Sequence, residues 1–195
     1  DTVVCATEAL AYNVWTHVET QSLDQYAVIP NGLHAGFLAV PRDYDPAVIT
    51  LGWAGSQNTA AWLPQVARAV NLALNTNPNV RFMSVGVPRD ILHNRFGIEN
   101  VQGRVGVVPW AKHGDQYLSM VSKFDVWLAP YSDISFNRAK FATKALEAGM
   151  FGIPLVASNV HPYTEWDGAG NKTSFIVKRD HEWSRYIATL IHSAQ

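Results

Sequence analysis

The residues most able to do chemistry in this sequence lie in segment 128–158. Lys144 and Glu147 are three residues apart, so on a helix they share a face, and Lys140 lies one turn before Lys144. We expect that helix to begin within 137–142. The free N–H groups at a helix start attract phosphate, and lysines there would add positive charge. A carboxylate one turn deeper could accept hydrogen bonds from a vicinal diol, so the segment predicts a nucleoside diphosphate site.

The same spacing also allows a purely structural interpretation. Lys144 and Glu147 could form an exposed ion pair on a solvated helix, and spacing alone does not decide between the two. A second candidate site is Asp43-Tyr44-Asp45, whose Asp-x-Asp pattern can hold a divalent cation. Because prolines flank that segment, we expect turn chemistry there instead. The seven histidines show no ligand-like pairing, so we predict no metal site.

The composition predicts a folded domain with a large core. Of the 195 residues, 48% are hydrophobic and 16% are charged, which excludes a disordered tail, a coiled coil or a collagen-like rod. The net charge is −1 without any block of like charges, so we expect no nucleic-acid partner. Cys5 is the only cysteine, which fits a reducing compartment, and we expect a cytoplasmic location.

Prolines and apolar runs divide the chain into three parts. Residues 30–46 contain three prolines and little periodicity, as is typical of a linker. Residues 1–29 contain two apolar runs around an amphipathic stretch that Thr7 could cap as a helix. Because the chain begins without Met inside an apolar run, we expect it to be a piece of a longer protein. Residues 47–195 would form the main domain.

Strand-like and helix-like segments alternate through the main domain. The predicted strands are 47–51, 80–85, 104–108, 125–129, 153–158 and 174–177, and a glycine-rich turn is predicted at 52–56. The predicted helices are 59–75, 89–96, 115–123, one ending near 151–152, and 180–191. This alternation predicts an α/β fold with a doubly wound parallel sheet. Ligands of such sheets bind beyond the carboxyl ends of the strands.

One segment of the main domain carries a fairly specific motif. Segment 144–158 reads Lys-Ala-Leu-Glu-Ala-Gly-Met-Phe-Gly-Ile-Pro-Leu-Val-Ala-Ser. It resembles the nucleotide-sugar segment of group 1 retaining glycosyltransferases of the GT-B architecture, which carry a Glu, small residues and then Gly-x-Pro-Val-Val-Ala-Ser. Weaker similarities lie at 28–32, 51–56 and 125–130, and the resemblance spans most of 27–177. It implies a Rossmann-like GT-B half preceded by a linker and a short fragment of the N-terminal acceptor domain.

The resemblance implies a role for each matching residue around a nucleotide sugar. Glu147 would hold the ribose hydroxyls, and backbone groups near Phe141 and Thr143 would meet the diphosphate. Trp110 falls where the family binds the base, and it could either stack on the base or pack in the core. The expected nucleotide-sugar-binding residues are Gly55, Ser56, Pro109, Trp110, Asn137, Phe141, Thr143 and Glu147.

The sequence departs from the family at one position. The common family signature has two glutamates separated by seven residues, and counting back from Glu147 gives Ala139. The glutamate that usually contacts the donor sugar is therefore absent. A branch of the family carries lysines in this loop, so we assign Lys140 and Lys144 to neutralising the diphosphate leaving group.

The resemblance implies transfer of a sugar from a UDP or GDP sugar to an unknown acceptor, with retention of configuration. It implies no metal and no other cofactor. The partners would be the nucleotide sugar and the missing N-terminal domain, which could also associate peripherally with a membrane. We expect the isolated chain to be inactive. Two alternatives stay open, a non-catalytic interaction module and half of a sugar-nucleotide epimerase.

Overall fold

A computed structural model describes residues 2–17, 25–33, 35–111, 113–166 and 174–194. The strands are β1 Thr2–Cys5, β2 Gln25–Val28, β3 Ile49–Ala54, β4 Val80–Val85, β5 Val105–Val108, β6 Val126–Ala129, β7 Leu155–Ser158 and β8 Ser174–Val177. The α-helices are α1 Glu8–His17, α2 Gln57–Ala60, α3 Pro64–Thr76, α4 Arg89–Phe96, α5 Gly114–Val121, α6 Ser135–Arg138, α7 Thr143–Met150 and α8 His181–Ser193. Short 3-10 helices cover Ala35–Ala39, Val101–Gly103 and Tyr163–Trp166. In the described parts of the chain, no helix is both long and apolar enough to cross a membrane.

Six strands form one parallel sheet in the order β5-β4-β3-β6-β7-β8. The order reverses between β3 and β6, as in doubly wound sheets. Helices cover both faces, and the buried apolar residues form one cluster on each side of the sheet. The predicted α/β fold is confirmed.

The predicted elements of the sheet domain agree with the structure except near β3 and before α7. The expected ranges of β4, α4 and β8 are the observed ones. The predicted start of the glycine-rich turn is wrong. Gly52 lies inside β3, where the ring of Phe124 packs against it. The turn therefore begins only at Gly55. The single helix predicted over 59–75 is instead two helices, and α3 starts with Pro64, a residue suited to the first helical turn.

The first residues form a separate small β-α-β unit. Strands β1 and β2 pair in parallel, and α1 connects to β1 through Thr7. The Thr7 hydroxyl accepts a hydrogen bond from the N–H of Leu10 at 3.0 Å, which confirms it as the helix cap. The same hydroxyl donates to the carbonyl of Ala139 at 2.8 Å, so the unit packs onto the loop before α7.

Candidate functional site

The candidate site lies where the strand order reverses, beyond the carboxyl ends of β3 and β6. The chain leaves β6 through Pro130 and Tyr131, passes through the short helix α6, and enters α7 at Thr143. Helix α7 thus begins one residue after the predicted window, because α6 occupies the start of that window. The N–H of Thr143 donates to the carbonyl of Phe141 at 2.9 Å. This approach to α7 orients the charged residues of the motif.

Glu147 lies one turn inside α7 and is half-buried. The hydroxyl of Tyr117 on α5 donates a hydrogen bond to its Oε2 at 2.9 Å. Burial raises the pKa of Glu147, while the Tyr117 hydrogen bond and the nearby Lys144 charge oppose that rise. The interpretation of Lys144 and Glu147 as an exposed ion pair does not fit this geometry.

Trp110 follows β5 and lies beside the Tyr117 hydroxyphenyl group. Its ring centroid is 6.0 Å from that of Tyr117, and 56% of the residue is exposed. The interpretation of Trp110 as a core residue is therefore wrong. Gly86 has a φ of 101°, and a Cβ there would contact the Trp110 ring and the carbonyl of Gly55. The indole of Trp110 lies against the backbone of Gly86, where a side chain would leave no space for it. Pro109, the residue before Trp110, is also exposed.

The two lysines meet at Tyr131. The ammonium of Lys144 donates to the Tyr131 hydroxyl at 3.1 Å. The ammonium of Lys140 lies 4.4 Å from the Tyr131 ring centroid, and 4.8 and 4.4 Å from those of Trp62 and Phe136. Burial lowers the pKa of Lys140. Three aromatic faces thus hold one ammonium group close to a second one.

Asn137 is a structural partner of Lys140. Its side chain is fully buried, its Oδ1 accepts a hydrogen bond from the Lys140 ammonium at 2.9 Å, and its Nδ2 donates to the carbonyl of Ser132 at 2.8 Å. The amide therefore supports the loop that carries Lys140. Direct contact of Asn137 with a ligand stays a prediction.

The remaining predicted residues lie at the edges of the site. Gly55 starts the loop after β3, where a Cβ would contact Thr59 and the Trp53 ring, and Ser56 beside it is exposed. Phe141 lines a cavity of about 200 Å³ between the β-α-β unit and the sheet domain. Thr7 and His161 line the same cavity.

The structure thus brings Lys140, Lys144, Glu147 and Trp110 together, and it adds residues that the sequence did not reveal. The added residues include five aromatic side chains, Trp62, Tyr117, Tyr131, Phe136 and Tyr163. Tyr131 lies two residues after the predicted strand 125–129, and this position is the one available signal for it. The others come from α5, from α6, from the segment between α2 and α3, and from a 3-10 helix, so only the tertiary structure places them here.

The Asp-x-Asp segment forms a turn. Asp45 Oδ1 accepts a hydrogen bond from the N–H of Ala47 at 3.0 Å, and Asp43 pairs with Lys123 at 3.1 Å. The described residues contain no group of three or more His, Cys, Asp or Glu side chains that could hold a metal ion. The expectation of turn chemistry is confirmed.

Residues 45–193 match the sequence profile of the family described as glycosyl transferases group 1. The chain belongs to this family. No curated protein sequence gives a match. As a group 1 glycosyltransferase chain, it lacks the first glutamate of the common signature. Ala139 at that position is buried, and its carbonyl bonds to Thr7.

Solved structures share the fold at low sequence identity. TarM has a TM-score of 0.67 and 12% identity over 99% of this chain. The pneumococcal O-GlcNAc transferase GtfA, solved in complex with UDP and GlcNAc, has a TM-score of 0.60 and 16% identity over 98% of this chain. The C-terminal domain of LpcC, a group 1 glycosyl transferase from Francisella tularensis, has a TM-score of 0.53 and 16% identity over 78% of this chain and 77% of that one.

These likenesses confirm the predicted Rossmann-like half of a GT-B fold. This chain spans 37% of the length of TarM and 37% of the length of GtfA.

Proposed function

We propose that this chain binds the nucleoside diphosphate sugar donor of a glycosyltransferase. The observation that carries the proposal is the half-buried Glu147 carboxylate, held by Tyr117 one turn inside a helix whose first turn carries Lys144. A half-buried carboxylate that already accepts from a neutral hydroxyl suits further hydroxyl donors, such as a ribose diol. The nearby ammonium groups suit the two phosphates. The group 1 family membership agrees with both assignments.

Each residue then has a distinct role in the proposed reaction. Glu147 accepts hydrogen bonds from the ribose, and the exposed face of Trp110 stacks on the uracil or guanine base. Lys140 and Lys144 stabilise the charge that develops on the departing diphosphate, and electrostatic stabilisation of this kind commonly dominates catalysis. The sugar passes to the acceptor with retention, and these lysines supply the charge that a metal would otherwise provide.

The first 29 residues fit the proposed remnant of an acceptor domain. Their β-α-β unit exposes apolar side chains, among them Val4, Tyr26 and Ile29. Such surfaces are normally covered by further structure. We propose that the acceptor domain covers them, and that residues 30–46 link it to the donor domain at 47–195. The isolated chain would then bind the donor and transfer no sugar.

Calorimetry with nucleotides tests the proposal. Wild-type chain is titrated with UDP and GDP, and separately with uridine and guanosine. We expect one diphosphate to bind, and Glu147→Ala to weaken both that diphosphate and its nucleoside by about 1–3 kcal/mol, since both contain the ribose. Lys144→Met should weaken the diphosphate and leave the nucleoside unchanged, because only the diphosphate carries the charge.

Glu99→Ala is the matched control, because Glu99 is exposed and lies at the far edge of the sheet domain, after α4. Unchanged affinity in Glu147→Ala would remove the ribose assignment. The absence of any nucleotide binding by the wild-type chain would instead favour the non-catalytic module, which the missing glutamate at position 139 also allows.

A further inference from the structure

Tyr131 is held rigidly at the end of β6. It is 7% exposed, and its backbone N–H donates to the Ser158 hydroxyl at 2.9 Å. That hydroxyl donates in turn to Oε1 of Gln65 on α3 at 3.2 Å. The Tyr131 ring packs against Trp62 and Tyr163, with centroids 5.3 and 5.4 Å away. Its orientation is therefore fixed by three other parts of the chain.

This one side chain contacts both lysines. Its hydroxyl oxygen accepts the hydrogen bond of Lys144, and its ring centroid lies 4.4 Å from the ammonium of Lys140 and 5.2 Å from that of Lys144. Two neighbouring ammonium groups repel each other, and long lysine side chains have many rotamers. A rigid ring that contacts both groups counters the repulsion and restricts both side chains.

We propose that Tyr131 is a positioning residue that holds Lys144 and Lys140 at the diphosphate of the donor. This inference rests on the proposed function and deepens it. A lysine already held in place loses less conformational entropy when a phosphate binds, so its contribution to affinity is larger. The hydroxyl and the ring orient Lys144, and the ring face orients Lys140.

The electrostatics of the phenol support this role. Burial raises the pKa of the Tyr131 hydroxyl, but the Lys144 and Lys140 charges, together with the hydrogen bonds from Lys144 and Tyr163, hold that pKa below its ordinary value of 10.0. The groups facing the hydroxyl also include Tyr163, whose own pKa is raised by burial. The oxygen of Tyr131 is thus the acceptor of this cluster, which is the role that an ammonium partner requires.

A double-mutant cycle tests the inference through affinity for diphosphate and for nucleoside. Tyr131→Phe removes the hydroxyl and keeps the ring. We expect it to weaken the bound diphosphate about tenfold, as for loss of a charge-assisted hydrogen bond, and to leave uridine or guanosine affinity unchanged. In a Lys144→Met background the same substitution should have almost no further effect, because the hydroxyl acts through Lys144.

Tyr186→Phe is the control, because it removes the hydroxyl of a half-buried tyrosine on α8, outside the site. It should leave diphosphate affinity unchanged. Thermal unfolding of each variant confirms that it is folded. Diphosphate binding by the wild type together with unchanged affinity in Tyr131→Phe would overturn the positioning role alone. An equal loss in the wild-type and Lys144→Met backgrounds would also overturn it. Absence of nucleotide binding by the wild type would overturn the proposed function and this inference with it.

Discussion

At the scale of single residues, two tyrosine hydroxyls organise the charges of the site. Tyr117 donates to the Glu147 carboxylate, and Tyr131 accepts from the Lys144 ammonium. One hydroxyl acts as a donor to the anionic group, and the other acts as an acceptor for the cationic group. Each charged group therefore has a neutral hydrogen-bond partner, and the two do not form an ion pair with each other. Under the proposed function, the carboxylate is available for ribose hydroxyls and the ammonium for phosphate. The cost of this arrangement is the partial burial of a carboxylate.

That burial gives Glu147 a predictable effect on stability. Its pKa is raised from the ordinary value of 4.5, so the folded chain binds this proton more tightly than the unfolded chain. Ionisation therefore destabilises the fold as the pH rises from about the ordinary pKa through the raised one. Glu147→Gln keeps the Tyr117 hydrogen bond and removes the charge. We expect it to raise the melting temperature relative to wild type near pH 8, and much less near pH 4.

Melting temperatures at several pH values, measured by calorimetry without ligand, check this prediction. Glu99→Gln serves as the control for loss of an exposed carboxylate. A Glu147→Gln effect that is equal at both pH values would contradict the argument, since a change in packing alone does not depend on pH.

At the scale of secondary-structure elements, the glycines of β3 and α7 differ in whether packing requires them. Gly52 lies in the centre of β3 against the Phe124 ring, which leaves no space for a Cβ. Gly149 lies on the exposed face of α7, where a Cβ would have no other atom within 4 Å. The first glycine is required by packing, and the second is not.

Alanine substitutions at these two glycines should have opposite effects. Gly52→Ala should lower the free energy of unfolding by about 1–3 kcal/mol or more, because the core is overpacked. Gly149→Ala should raise it by about 0.5–1 kcal/mol, because alanine restricts the unfolded chain and favours the helix. Urea unfolding measures both. Adding Phe124→Leu to Gly52→Ala should recover part of the loss, and a failure to recover any would contradict the packing argument.

At the scale of the whole molecule, Thr7 couples the β-α-β unit to the candidate site. Its hydroxyl caps α1 and also bonds to the carbonyl of Ala139, which immediately precedes Lys140. Asn13 on α1 adds a hydrogen bond to Ser135 at 3.3 Å. The first unit of the chain therefore supports the loop that brings Lys140 to the site.

Thr7→Val should weaken both the fold and the site. The substitution keeps the shape of the side chain, removes the helix cap and leaves the buried carbonyl of Ala139 without its donor. We expect a loss of about 2–4 kcal/mol in unfolding free energy, and faster amide hydrogen exchange in residues 139–142. Thr7→Ser retains the hydroxyl and should stay close to wild type. A Thr7→Val variant as stable as Thr7→Ser would contradict this role of the hydroxyl, since valine keeps the methyl group and lacks only the hydroxyl.

The sequence by itself determined the sheet domain and the order of its elements. Apolar runs and glycine or proline boundaries are local signals, so β4, α4 and β8 have the predicted ranges. Local signals failed at Gly52, because a strand through that position depends on Phe124, which is distant in sequence. The pattern around Glu147 likewise indicated a helix that carries a carboxylate and lysines, but not the environment of those charges.

Only the tertiary structure decided how those charges are held. Tyr117 and Trp62 reach the site from elements that lie before β6 in the chain, and Tyr163 comes from after β7. Their contacts depend on the spatial order of the parallel strands in the sheet. Residue spacing within one segment does not encode that order. Sequence periodicity records which face of an element is buried. The element that covers this face is decided by packing between distant parts of the chain. The raised pKa of Glu147 is a result of the same packing.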